Sequence, residues 1–134
     1  MGAVTSKRPD LSVTEILNQL RSAIAEIRLT AFIDLDSRLV LASSADTRPR
    51  QEILDAIAET GAQLLPAPNS PLAACFPDRR PPDHATLIAS DMLLVYVRPA
   101  GSTEAICCRC SNGADPAAIL SHANDALAKI GAGE

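Results

Sequence analysis

Cys107, Cys108 and Cys110 are the residues of this chain that most invite chemistry. Structural zinc takes about four ligands converging tetrahedrally, drawn from paired, short-spaced motifs. On a strand, Cys108 and Cys110 share a face while Cys107 points the other way. Neither His84 nor His122 stands at ligand spacing from them. A disulfide between the neighbours Cys107 and Cys108 would be strained. The cluster therefore reads as small buried hydrophobes in a reducing compartment, with no metal ligand and no cofactor implied. His84 and His122 have no Gly-x-Ser-x-Gly elbow and no Cys–His signature to serve. Asp34 and Asp36 flank a turn, where short acids bond the local backbone. No glycine-rich loop leads into a helix to cradle phosphate. No catalytic residue is assigned, and the chain does not read as an enzyme. The arginines are more interesting: Arg48 and Arg50 before the second helix, and Arg79 and Arg80 in a proline-rich stretch. An exposed arginine can steady a phosphate being transferred on a partner. These four are the predicted partner-binding residues.

Those residues need a scaffold, and the composition allows one. With 134 residues, 47% of them hydrophobic and 21% charged, the chain can bury one real core. Aromatics are 2% and Trp is absent, so there is little material for stacking bases. A net charge of −4 argues against nucleic acid or an anionic membrane as the main partner. No apolar run is long enough to span a bilayer. Residues 1–11 read as a flexible polar leader without a signal-peptide core, which makes the cytoplasm the expected location. Residues 12–131 read as a single domain.

Ser12 and Glu15 form a capping box, and the apolar stripe behind them predicts a helix over residues 13–27. Residues 29–35 and 39–42 alternate as a hairpin around Asp36-Ser37-Arg38. Asp46 or Thr47 is the predicted cap of a second helix, with Pro49 in its first turn and Ile53, Ile57, Gly61 and Leu64 on one side. Gly61 would let a neighbouring element approach closely. Six of the ten prolines fall in residues 66–83, predicting an extended loop pinned by the apolar island 72–76. Residues 85–90, 92–98 and 103–111 read as a meander whose middle strand is apolar on both faces, so helices must cover both sides. Asp115-Pro116 opens a last helix. The fold class is α+β: a five-stranded antiparallel sheet sandwiched by helices.

The order α-β-β-α-β-β-β-α across residues 13–130 resembles the roadblock (dynein light-chain) family, in its bacterial form. The hairpin at 31–44, Ala-Phe-Ile-Asp-Leu-Asp-Ser-Arg-Leu-Val-Leu-Ala-Ser-Ser, is similar to the family's apolar strand, acidic turn and Ala-Ser-Ser close. The meander at 92–112 adds to the likeness. The proline-rich stretch departs from it, because the family has a longer helix and a short loop there. The resemblance implies the first and last helices on one face of the sheet and the second on the other. It implies a homodimer paired through the second helix and the neighbouring edge strand. It also implies a regulator or scaffold for a small Ras-like GTPase in signalling. The unprotected strand at 85–89 supports the dimer independently, since it has no Lys or Pro to block edge pairing. The predicted interface is Ile53, Ile57, Gly61, Leu64, Thr86 and Ile88. The competing reading is a small-ligand sensing domain of PAS or profilin-like type, with a pocket under the island 72–76.

Overall fold

A computed structural model describes residues 12–132; the leader expected at 1–11 lies outside the described residues. The elements are α1 (Val13–Ala23), β1 (Ile27–Asp34), β2 (Leu39–Ala45), α2 (Gln51–Leu64), β3 (His84–Ile88), β4 (Leu93–Val97), β5 (Glu104–Cys110) and α3 (Pro116–Ala132). The five strands form one antiparallel sheet in the order β2-β1-β5-β4-β3.

Alternation of side chains sorts the sheet into two cores. Phe32, Val95, Val97, Ile106, Cys108 and Cys110 face α1 and α3. Leu29, Ala31, Ile33, Tyr96, Ala105 and Cys107 face α2. All of β4 is buried, as a strand covered on both faces must be. Thr30, buried on the α1 side, donates its hydroxyl to the Leu17 carbonyl at 3.0 Å, which satisfies that donor in the core. Under α2, the Tyr96 hydroxyl donates to the Ile57 carbonyl at 2.8 Å.

Several boundaries differ from the sequence expectation. The capping box of Ser12 and Glu15 forms, but α1 stops at Ala23 rather than Ile27. Ile24 turns extended, and Ile27 opens β1 opposite Cys110, where a β-branched side chain is better accommodated. Strand β2 runs on to Ala45, and neither Asp46 nor Thr47 caps α2. The N-cap is Arg50, because Pro49 bars the residue before it from helical backbone and the Asp46 carboxylate is taken by Arg21. Residues 66–83 are not simply extended. Two short 3₁₀ turns, Pro71–Cys75 and Pro77–Arg79, each begin on a proline whose missing N–H costs nothing there.

Asp34 and Asp36 belong to the first turn. An Asp34 carboxylate oxygen accepts from the Asp36 N–H at 3.0 Å, and Arg38 adopts a left-handed φ of 60° to reverse the chain. Ile119, Ala123, Leu127 and Ile130 carry α3 onto the sheet, with Asp115 capping its first turn through the Ala117 N–H.

Candidate functional site

The interest of the molecule gathers at the two ends of α2. Its 14 residues make a rod of about 21 Å, with a different arginine environment at each tip.

At the N-terminal tip, the connection from β2 brings Arg48 and Arg50 to the rim of an open groove of about 410 Å³. The sheet adds Arg28 and Arg109, because β1 and β5 pair with Leu29 opposite Arg109. Leu29, Ala45, Pro49 and Ile53 supply the apolar wall. Arg48 and Arg50 are exposed, as is Arg28, while Arg109 is half-buried with its Nε directed at the Met92 sulfur at 3.3 Å. The one carboxylate on the rim, Asp46, is bonded to Arg21, which also reaches Ser44.

At the C-terminal tip, Arg98 is only 3% exposed and surrounded by acceptors. Its guanidinium donates to the carbonyls of Leu65 at 3.1 Å, Pro66 at 2.7 Å and Pro82 at 2.9 Å. The Asp83 carboxylate lies 3.3 Å from its Nε. A loop rich in proline has carbonyls to satisfy and few N–H groups to satisfy them. Arg98 provides the missing donors. The apolar island does less than expected: Ala73 is buried and Phe76 half-buried, but Leu72, Ala74 and Cys75 are exposed. Arg80 lines a second cavity of about 380 Å³ with Pro68, Asp83 and Gly101. The Arg79 side chain lies outside what the structure describes.

The predicted partner-binding arginines are thus split along α2 rather than gathered at one spot. The predicted interface residues divide as well. Ile57 is 4% exposed and Gly61 is buried, both turned inward onto the sheet. A Cβ at Gly61 would lie 2.7 Å from Ile33 Cδ1 and 2.9 Å from Tyr96 Cε1, so the close approach is made by the chain's own sheet. Ile53 and Leu64 are half-buried. Thr86 and Ile88 lie opposite Val95 and Leu93, on the face of the sheet away from α2, with Ile88 74% exposed. On the α2 face of β3 it is Leu87, opposite Leu94, that stands 40% exposed.

The thiols occupy the two cores. Burial beneath α2 pushes Cys107 up to about 12, against a hydrogen bond with Tyr96 that lowers it. Burial on the other face raises Cys108 well above its ordinary value and carries Cys110 to about 12. Tyr96 is likewise raised by burial, with Cys107 beside it adding to the effect. Among the described residues, no three His, Cys, Asp or Glu side chains gather closely enough to hold a metal ion. His84, on β3, and His122, on α3, are both exposed. No described helix is long and apolar enough to cross a membrane.

Arg28, Arg98 and Arg109 were not singled out by sequence. The available signal was an arginine ending or interrupting an otherwise apolar strand, at Arg98 after β4 and at Arg109 within β5. Such a charge needs acceptors or an open space.

No family model and no curated protein matches the sequence. Solved structures do match the fold. The Roadblock/LC7 domain from Streptomyces avermitilis superposes with a TM-score of 0.72 at 16% identity, covering 92% of this chain and 96% of that one. Gliding protein MglB from Thermus thermophilus gives 0.70 at 19% identity, covering 90% and 87%. Myxococcus xanthus MglB gives 0.69 at 11% identity, covering 88% and 90%. The chain has the roadblock fold.

Proposed function

We propose that this chain is a non-catalytic, homodimeric regulator or scaffold that works on a small Ras-like GTPase in the cytoplasm. The observation that carries the reading is an open sheet edge in a roadblock fold. Strand β3 ends the sheet, pairs only with β4 among the described residues, and presents Thr86, Leu87 and Ile88 without a protecting Lys or Pro. A second copy related by a two-fold axis would satisfy the free backbone groups and cover Ile88. Half-buried Ile53 and Leu64 on α2 lie nearer the surface than Ile57 and Gly61 and are the α2 residues available to the seam. The GTPase follows from the family resemblance, and Arg48, Arg50 and Arg80 are the exposed arginines that would face it.

Two measurements test this reading. Light scattering at micromolar concentration is expected to give twice the chain mass, falling to the chain mass in Ile88→Lys. A monomeric wild type overturns the dimer. Affinity purification from native cells, with the lysate loaded with either GDP or a non-hydrolysable GTP analogue, is expected to recover a small GTPase in one nucleotide state. Recovery of none in either state counts against a GTPase partner.

A further inference from the structure

Four arginines converge on the groove at the start of α2, although the chain as a whole carries a net charge of −4. Like charges brought together repel, and the arrangement is favourable only when something anionic enters. Among the described residues, no ion pair or hydrogen bond engages the side chains of Arg28, Arg48 or Arg50. Arg109 has only its weak Nε contact to the Met92 sulfur. Asp46 does not neutralise them, since Arg21 already holds it. The first turn of α2 also opens here with no side-chain cap, so its free N–H groups border the same space, although Glu52 in that turn offsets part of the helix's positive end.

The shape narrows the ligand. At about 410 Å³ the groove, though open to solvent, has room for a small molecule. Guanidinium forks match phosphate oxygens in pairs, and four of them match the charge of two phosphate groups. No aromatic side chain lines the groove, so a base would have nothing to stack on. We propose that the groove binds a small diphosphate-bearing ligand, clamped by Arg28, Arg48, Arg50 and Arg109. The groove shares Arg48 and Arg50 with the surface that would face the GTPase, and a small anion titrated alone tests it without that partner.

Inorganic pyrophosphate is the probe, titrated calorimetrically into the full chain at constant ionic strength. Saturable one-to-one binding is expected in the wild type. Arg48→Gln should weaken it roughly tenfold, and adding Arg50→Gln should weaken it further by a similar factor. Arg80→Gln, at the far end of α2, should bind as the wild type does. Four results overturn the proposal: no saturable heat, unchanged affinity in the double variant, equal loss in Arg80→Gln, or citrate binding as tightly as pyrophosphate. Both exposed arginines can be replaced without touching the core, so a folded variant is assured by circular dichroism before titration.

Discussion

Arg98 and the arginines at the opposite end of α2 carry the same guanidinium in opposite circumstances. Around Arg98 the chain has closed four carbonyls and a carboxylate, so its donors are spent within the protein. Around Arg28, Arg48 and Arg50 the chain has left space, and these side chains line it. One is a buried fastener whose removal would strand acceptors; the others are exposed and cost the fold little. The difference teaches that neither residue type nor local sequence tells a structural arginine from a binding one. The count of acceptors already within reach does.

That contrast can be broken first at Arg98. Arg98→Met should cost about 3–4 kcal/mol in urea denaturation, because the carbonyls of Leu65 and Pro66 lose their donor inside the protein. Arg98→Lys should recover less than half of that, since one ammonium cannot reach carbonyls arranged around a planar fork. A cost under about 1 kcal/mol for the Met variant would show that the loop is held by something else.

Next in size is Gly61→Ala, which tests the packing of α2 between its two ends. The gain in helix propensity, about 1 kcal/mol, is set against a Cβ only 2.7 Å from Ile33. Overpacking costs about 1–3 kcal/mol, so a net loss of roughly 1 kcal/mol is expected.

The buried thiols supply a pH test. Burial pushes the folded Cys107 and Cys110 up to about 12 from the ordinary thiol value of about 9. Above the unfolded value the unfolded chain releases protons that the folded chain retains, so stability falls as pH rises from about 9 toward 12. Below about 9 these groups should make no difference, which denaturation at pH 7, 8 and 10 would check. At pH 8, a thiol reagent should titrate exposed Cys75 rapidly and the three buried cysteines only after unfolding.

The smallest effect is expected at the groove itself. Arg48→Gln with Arg50→Gln should leave stability within about 0.5 kcal/mol, because exposed side chains without partners contribute little. A large loss would mean that the groove arginines fasten the fold as Arg98 does.

The sheet was legible because its signals are local. Alternation at 29–35, the double-sided apolar run of β4 and the capping box at Ser12 each name an element within a few residues. Boundaries were less so: Ile24 and Ile27 continue the helical stripe of α1, yet Ile24 leaves the helix and Ile27 enters the strand, since tertiary pairing with Cys110 outweighs periodicity. The site was half legible. Arg48 and Arg50 stand out beside Pro49, but Arg28 and Arg109 join them only through the pairing of β1 with β5. Arg98 showed only as a charge closing an apolar strand, because its acceptors come from residues 65–66, 82–83 and 102 and meet only in the folded chain.

The strand order carries a consequence for how the chain is made. Strand β1 sits between β2 and β5, with Thr30 paired to both Ser44 and Cys108. On the ribosome β2 emerges at once, but β5 is the last of these five strands to appear. Until it does, β1 and β2 are a two-stranded ribbon, which is marginal on its own in water. The apolar side chains of β1 then have no finished sheet to join. Folding should therefore wait for residue 110 to clear the exit tunnel, and a nascent chain stalled before it should be a client for chaperones rather than a half-built domain.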